Sequence, residues 1–189
     1  GYKPNQIRPW PFQTRKNNSY RISALDIENH SNKKVMDAMD NENECCLFIE
    51  TTDSFNPNAK IPSFDVKVDI LLFFKYYDPR SETMSYCGHA YVPMASKISS
   101  LLPMLCERAH LPNETPLMLF EEVRPGLTDH FKDLNSTIED LEDIMDGDII
   151  CFQRKDIDLE EYKLRTCIDY FRDYHNRMEV TMCDKNVPN

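Results

Sequence analysis

Val68-Asp69-Ile70-Leu71-Leu72-Phe73-Phe74-Lys75-Tyr76-Tyr77 is an almost unbroken apolar run. It is too short and too aromatic for a helix, so it reads as a buried strand. Asp78-Pro79-Arg80-Ser81 supplies turn chemistry, and Met84 to Val92 then forms a second strand, closing a hairpin before Pro93. Ser96 is the expected N-cap of a helix whose apolar residues Ile98, Leu101, Leu102, Leu105 and Ala109 fall on one stripe, with Pro103 bending it. Leu117 to Val123 is the next strand, ended by Pro125-Gly126. Leu134 to Met145 is a polar stretch suited to short helical turns. Asp146-Gly147-Asp148 is a tight turn into a last buried strand, Ile149 to Gln153. Two strands, a helix and a returning central strand are the order of a β-grasp, an α+β architecture, here expected over residues 66–155.

The flanks read differently. Residues 1–55 offer strand-like pieces at Ile7 to Arg15, Ser19 to Ile27 and Cys46 to Thr52 and no useful amphipathic helix, so they look like half a domain. Trp10, between Pro9 and Pro11, is a core residue by type, yet in a half-domain it is open to exposure. Residues 56–65 read as a linker. From 158 to 177, with Asp158 as N-cap, Leu164, Cys167, Ile168, Phe171 and Tyr174 make the stripe of a connector helix. Residues 178–189 begin one more strand.

The chain has 189 residues, 41% of them hydrophobic, and a formal charge of −10. That balance repels phosphate backbones and anionic lipids and favours cationic partners. No apolar stretch approaches the roughly 20 residues of a membrane helix, so a soluble chain without nucleic-acid or membrane partners is expected. Seven cysteines, mostly within apolar runs, look like reduced core residues of an intracellular protein.

Between Asp133 and Gln153 there is no Lys, Arg or His, while acids crowd in. Asp146 and Asp148 flank Gly147, and Glu142-Asp143 lies just upstream, so these carboxylates can converge on one ammonium or guanidinium. A merely solvated acidic face is the competing reading. A calcium loop fails, because aligning Gly147 with an EF-hand glycine puts Ile144 at a ligand position. Zinc fails for want of a second ligand pair beside Cys87 and His89, and no cofactor motif occurs. Cys87 with His89 as nucleophile and base is the enzyme hypothesis, a weak one with four glycines in the chain to shape an oxyanion hole.

Asp69 to Pro79, Tyr86-Cys87-Gly88-His89, Phe120-Glu121-Glu122-Val123 and Met145-Asp146-Gly147-Asp148-Ile149-Ile150, with Trp10-Pro11 and Tyr170-Phe171-Arg172-Asp173, resemble the herpesvirus-associated branch of the ubiquitin-specific proteases. That resemblance implies a non-catalytic segment from a C-terminal tandem of ubiquitin-like domains: the second half of one (1–55), a complete second (66–155), and the start of a third (178–189). It implies that Glu142, Asp143, Asp146 and Asp148 take Lys-rich segments of nuclear and viral proteins. Catalysis then belongs to a separate thiol protease domain acting in cis, and residence is nuclear and cytoplasmic. The alternative is a structural spacer that orients or activates that domain.

Overall fold

The computed structural model describes residues 2–23, 46–52, 56, 58–141 and 143–178. Their strands form two sheets. In the smaller, β1 (Ile7–Thr14) lies between β2 (Tyr20–Ile22) and β3 (Leu47–Thr51), antiparallel to both. The larger contains β4 (Asp69–Asp78), β5 (Thr83–Pro93), β6 (Leu117–Arg124), β7 (Leu127–His130) and β8 (Asp148–Arg154). Its order is β5-β4-β8-β6-β7, with β8 parallel to β4 and antiparallel to β6. Helix α1 (Leu102–Arg108) links β5 to β6, and α2 (Cys167–Asn176) follows β8. Hairpin, helix, hairpin and a return strand inserted beside the first is the β-grasp arrangement read from the sequence.

β4 alternates between two interiors. Ile70, Leu72 and Phe74 enter the core that Ile98, Leu101 and Leu105 close from one side. Leu71, fully buried, faces the other way and meets Trp10 and Ile22 of the smaller sheet, with Phe48 and Phe73 alongside. At the far end of the strand, Tyr77 packs with Cys167 and Phe171 of α2. The uninterrupted apolar run is thus a strand covered on both faces.

Trp10 is 1% exposed, so the exposure considered for it does not occur. Phe64 stands edge-on to its ring at 5.2 Å, and the indole Nε1 donates to Glu50. Glu50 also accepts the Tyr91 hydroxyl and faces His89 Nε2 at 3.4 Å. Burial pushes the Glu50 carboxyl up, but these donors outweigh it and its pKa is lowered. The stretch read as a linker is itself pinned: Arg8 donates to the Pro62 carbonyl, and Phe64 lies 5.0 Å from the Tyr91 ring.

Two local expectations change and one strand is added. Pro103 does not bend a helix begun at Ser96. A 3-10 turn, Ile98–Leu101, precedes α1, and Pro103 sits in the first turn of α1, where its missing N–H leaves no helical bond unmade. Pro125-Gly126 ends β6 as expected, but it does so by turning the chain into β7, a strand the sequence reading does not contain, with Gly126 at φ +79°. β7 is short, mostly exposed and polar, and carries no apolar alternation to announce it. The 158–177 helix is two pieces. Asp158 caps only a 3-10 turn, Leu159–Glu161, and α2 starts at Cys167 behind a capping box of Thr166 and Asp169. Buried Gln153 holds this break, donating to the Arg165 carbonyl and accepting from the Cys167 N–H, while the Tyr77 hydroxyl donates to the Leu164 carbonyl. The strand begun at 178–189 lies, past Met178, outside the described residues.

Leu71 and Leu72 therefore report on different interiors. Leu72→Ala should cost about 3 kcal/mol in urea unfolding followed by Trp10 fluorescence. Leu71→Ala should speed amide hydrogen exchange chiefly in β1 and β3, while the amides of α1 and β6 keep their protection.

Candidate functional site

The turn Met145-Asp146-Gly147-Asp148 is fastened to β4 by both backbone groups of Leu71. Leu71 N–H donates to Asp146 Oδ1 at 2.8 Å, and Gly147 N–H donates to the Leu71 carbonyl at 2.8 Å. Asp148 Oδ2 accepts from the Met145 N–H at 2.7 Å, tying the turn to itself. Gly147 has φ +87°, and a Cβ there would lie 2.4 Å from the Ile22 carbonyl oxygen. Only glycine lets β2 approach so closely.

The smaller sheet also brings a cation. Arg15, one residue beyond the last β1–β2 pair Thr14↔Tyr20, ion-pairs through Nη1 with Asp148 Oδ1 and donates through Nη2 to the Asp146 carbonyl at 2.5 Å. Asp148 is 1% exposed and the Arg15 side chain 15%. Sequence spacing leads Glu142, Asp143, Asp146 and Asp148 to be expected around a partner's cation; in the structure Arg15 of the chain itself takes the Asp148 carboxylate and the Asp146 carbonyl. Both of Asp148's oxygens and one of Asp146's are engaged internally. Asp143 is exposed beside the turn. Glu142 lies outside the described residues.

Two acids unmarked by sequence reasoning join this group. Glu121 of β6 stands directly across from Asp129 of β7, like charge facing like charge. Its carboxyl is pushed up to about 7, first by burial and then by Asp148, Asp129 and Asp143, with Arg15 opposing. Burial likewise raises Asp146, against the Leu71 N–H and Arg15. The next residue, Glu122, is by contrast saturated with cations: Lys75 Nζ at 2.6 Å and Arg21 Nη2 at 3.5 Å. Strand alternation separates the fates of two consecutive glutamates. A signal existed in the expected strand Leu117 to Val123, whose polar residues are these two, but Arg15 is 133 positions from Asp148 and nothing local announces it.

Beside the turn, Gln13, Arg15, Arg21, Ile22, Ser23, Met145 and Asp146 line an open cleft of 280 Å³. Cys87 and His89 do not form a thiol and base pair. Burial raises the Cys87 thiol, disfavouring thiolate, its Sγ points to the Ser85 carbonyl, and His89 is turned to Glu50. Cys151 and Cys167 are buried and their thiols raised further. Among the described residues no group of His, Cys, Asp or Glu has the arrangement of a metal centre.

Residues 7–189 match the family model of the ICP0-binding domain of ubiquitin-specific protease 7. Ubiquitin carboxyl-terminal hydrolase 5 of Schizosaccharomyces pombe is 33% identical over 81% of this chain and 14% of its own length. Ubiquitin carboxyl-terminal hydrolase 7 of Drosophila melanogaster is 25% identical over 100% of the chain and 16% of its own length. Ubiquitin C-terminal hydrolase 12 of Arabidopsis thaliana is 31% identical over 92% of the chain and 16% of its own length. The chain thus spans about a sixth of the relatives it matches. Among solved structures, the C-terminal ubiquitin-like domain of mouse tubulin-specific chaperone e matches 48% of the chain at 12% identity, with a TM-score of 0.37. On the family match, which runs nearly end to end, this chain belongs to the family of ICP0-binding domains of ubiquitin-specific protease 7.

Proposed function

We infer that this chain is the non-catalytic, partner-recruiting segment of a deubiquitinating cysteine protease, in which a ubiquitin-like unit spanning about 66–155 holds Lys-rich peptide segments at the acidic turn. The observation that carries this reading is the excess of carboxylates there. Burial first, and then the nearby Asp148, Asp129 and Asp143, hold a proton on Glu121 up to about pH 7, with Arg15 opposing them. A site with unneutralised negative charge gains most from an incoming ammonium. Asp143, exposed and not engaged as Asp148 is, leads the contact, with Glu142 beside it in sequence. Asp146 and Asp148 shape the turn. The matched family is named for binding ICP0, which fits a role in partner recruitment. On this reading the partners are nuclear and viral proteins, and the parent protein resides in nucleus and cytoplasm.

A second reading, a structural spacer acting on a catalytic domain in cis, is favoured by a different observation. The smaller sheet and α2 both dock on the outer face of the β-grasp sheet, through Trp10, Leu71 and Tyr77, which gives a segment suited to transmitting orientation. The two readings are compatible.

Calorimetric titration with a Gly-Ser peptide bearing two lysines should show binding that weakens from low to high salt. Asp143→Asn combined with Glu121→Gln should weaken it about tenfold or more without lowering the melting temperature. Salt-independent binding, or binding unchanged by the double substitution, would refute the reading. The pair Asp146→Ala and Asp148→Ala is a poor test, since losing Asp148 leaves Arg15 without its buried partner, at about 3–5 kcal/mol.

The burial of Glu121, with the acids around it, makes stability depend on pH. Because Glu121 titrates near 7 when folded against an ordinary 4.5, the folded state keeps a proton that the unfolded chain has lost, and stability declines as pH rises through that window. Glu121→Gln should therefore raise the melting temperature at about pH 8 and leave it nearly unchanged at about pH 4, in paired scans.

A further inference from the structure

Asp148 offers a ligand no open approach. It is 1% exposed, one oxygen is held by the Met145 N–H and the other by Arg15, and the Arg15 side chain lies over it. Arg15 is also the one residue of the smaller sheet that the described structure ion-pairs with the turn, and it is placed to leave. It lies past the last pair of β1 with β2, so swinging the side chain away breaks no strand pairing. Its backbone N–H, which donates to the Ser19 carbonyl, stays engaged in the 15–19 turn. A second carboxylate position lies nearby: Glu121 pairs with Ile150, two residues along β8 from Asp148 and so on the same face, and stands across from Asp129.

We propose that Arg15 is a built-in competitor that occupies, on Asp148 and the Asp146 carbonyl, the position a partner's lysine takes. The inference rests on the peptide reading above and adds its regulation. Full engagement of a Lys-rich partner requires Arg15 to leave Asp148 for the Glu121–Asp129 pair, so partner binding loosens one tie between the smaller sheet and the ubiquitin-like unit. The cost of displacing Arg15 keeps the apparent affinity low. A site open only a fraction of the time binds with its intrinsic constant divided by that fraction. Lys cannot copy the two-pronged contact that Arg15 makes, so a single lysine exchanges unfavourably, and peptides presenting several basic residues are selected.

The test titrates the 189-residue chain with the two-lysine peptide, comparing wild type, Arg15→Gln, Arg15→Lys and Lys16→Gln, each checked by thermal melting. Arg15→Gln should bind about tenfold tighter, corresponding to a competitor seated about nine-tenths of the time. Arg15→Lys, which keeps the charge but loses one prong, should bind about threefold tighter. Lys16→Gln removes the same charge from an exposed neighbour and should change affinity less than about twofold, separating displacement from long-range attraction. Wild-type binding that neither Arg15 variant strengthens, or that Lys16→Gln strengthens equally, overturns the competitor and leaves the peptide reading standing. No binding by any form overturns both. Should Arg15→Gln melt far below wild type, Arg15→Lys decides on the same criterion.

Discussion

Leu71 and Leu72 are neighbours in β4, both entirely buried, and they belong to different interiors. The rest of the described structure depends on that double burial. A β-grasp sheet needs one covered face, and here α1 covers it. The other face is ordinarily free to meet water, but in this chain the smaller sheet lies over one end and α2 over the other. Each Leu side chain taken from water contributes about 1.5–3 kcal/mol, so covering both faces joins the elements into a cooperative unit. The polar anchors sit at the seams. Glu50 gathers Trp10, Tyr91 and His89 on one side, and Gln153 takes up the broken backbone ahead of α2 on the other.

The acidic turn is a product of the same packing. Gly147 is pressed against the Ile22 carbonyl because β2 docks there, and that docking carries Arg15 to Asp148. A carboxylate as deeply buried as Asp148 is tolerable only with its charge compensated, and the chain compensates it from a distant strand. What remains exposed is an imbalance. Asp129 and Asp143 are exposed, and half-buried Glu121 stands with them near a guanidinium already committed to Asp148.

Features with local causes were legible in the sequence. The apolar run of β4, the hairpin to β5, the stripe of Ile98, Leu101 and Leu105, and the Asp146-Gly147-Asp148 turn each carry their reason within a few residues, and together they give the β-grasp order. β7 was invisible because an exposed edge strand of Leu127-Thr128-Asp129-His130 has no burial to impose alternation. α2 starts later than its spacing implies, because the stripe through Leu164 continues the helical period while the cap at Thr166 and the bonds to Gln153 interrupt it. For the candidate site, the Asp143, Asp146 and Asp148 grouping could be seen from charge alone. Arg15, Glu121 and Asp129 could not, since sheet docking and strand register bring them there.

Glu121 and Glu122 make the general point about charge and position. They are consecutive, identical in chemistry and in one strand, yet Glu122 lies between Lys75 and Arg21 while Glu121 faces three other acids. A chain under pressure for stability alone would favour Gln at 121, which keeps the hydrogen-bonding capacity and sheds the repulsion. An ionisable group kept there, half-buried and across from Asp129, costs folding free energy once it loses its proton. That cost fits the peptide reading proposed above, in which exposed Asp143 makes the first contact and Asp148 is reached once Arg15 moves aside.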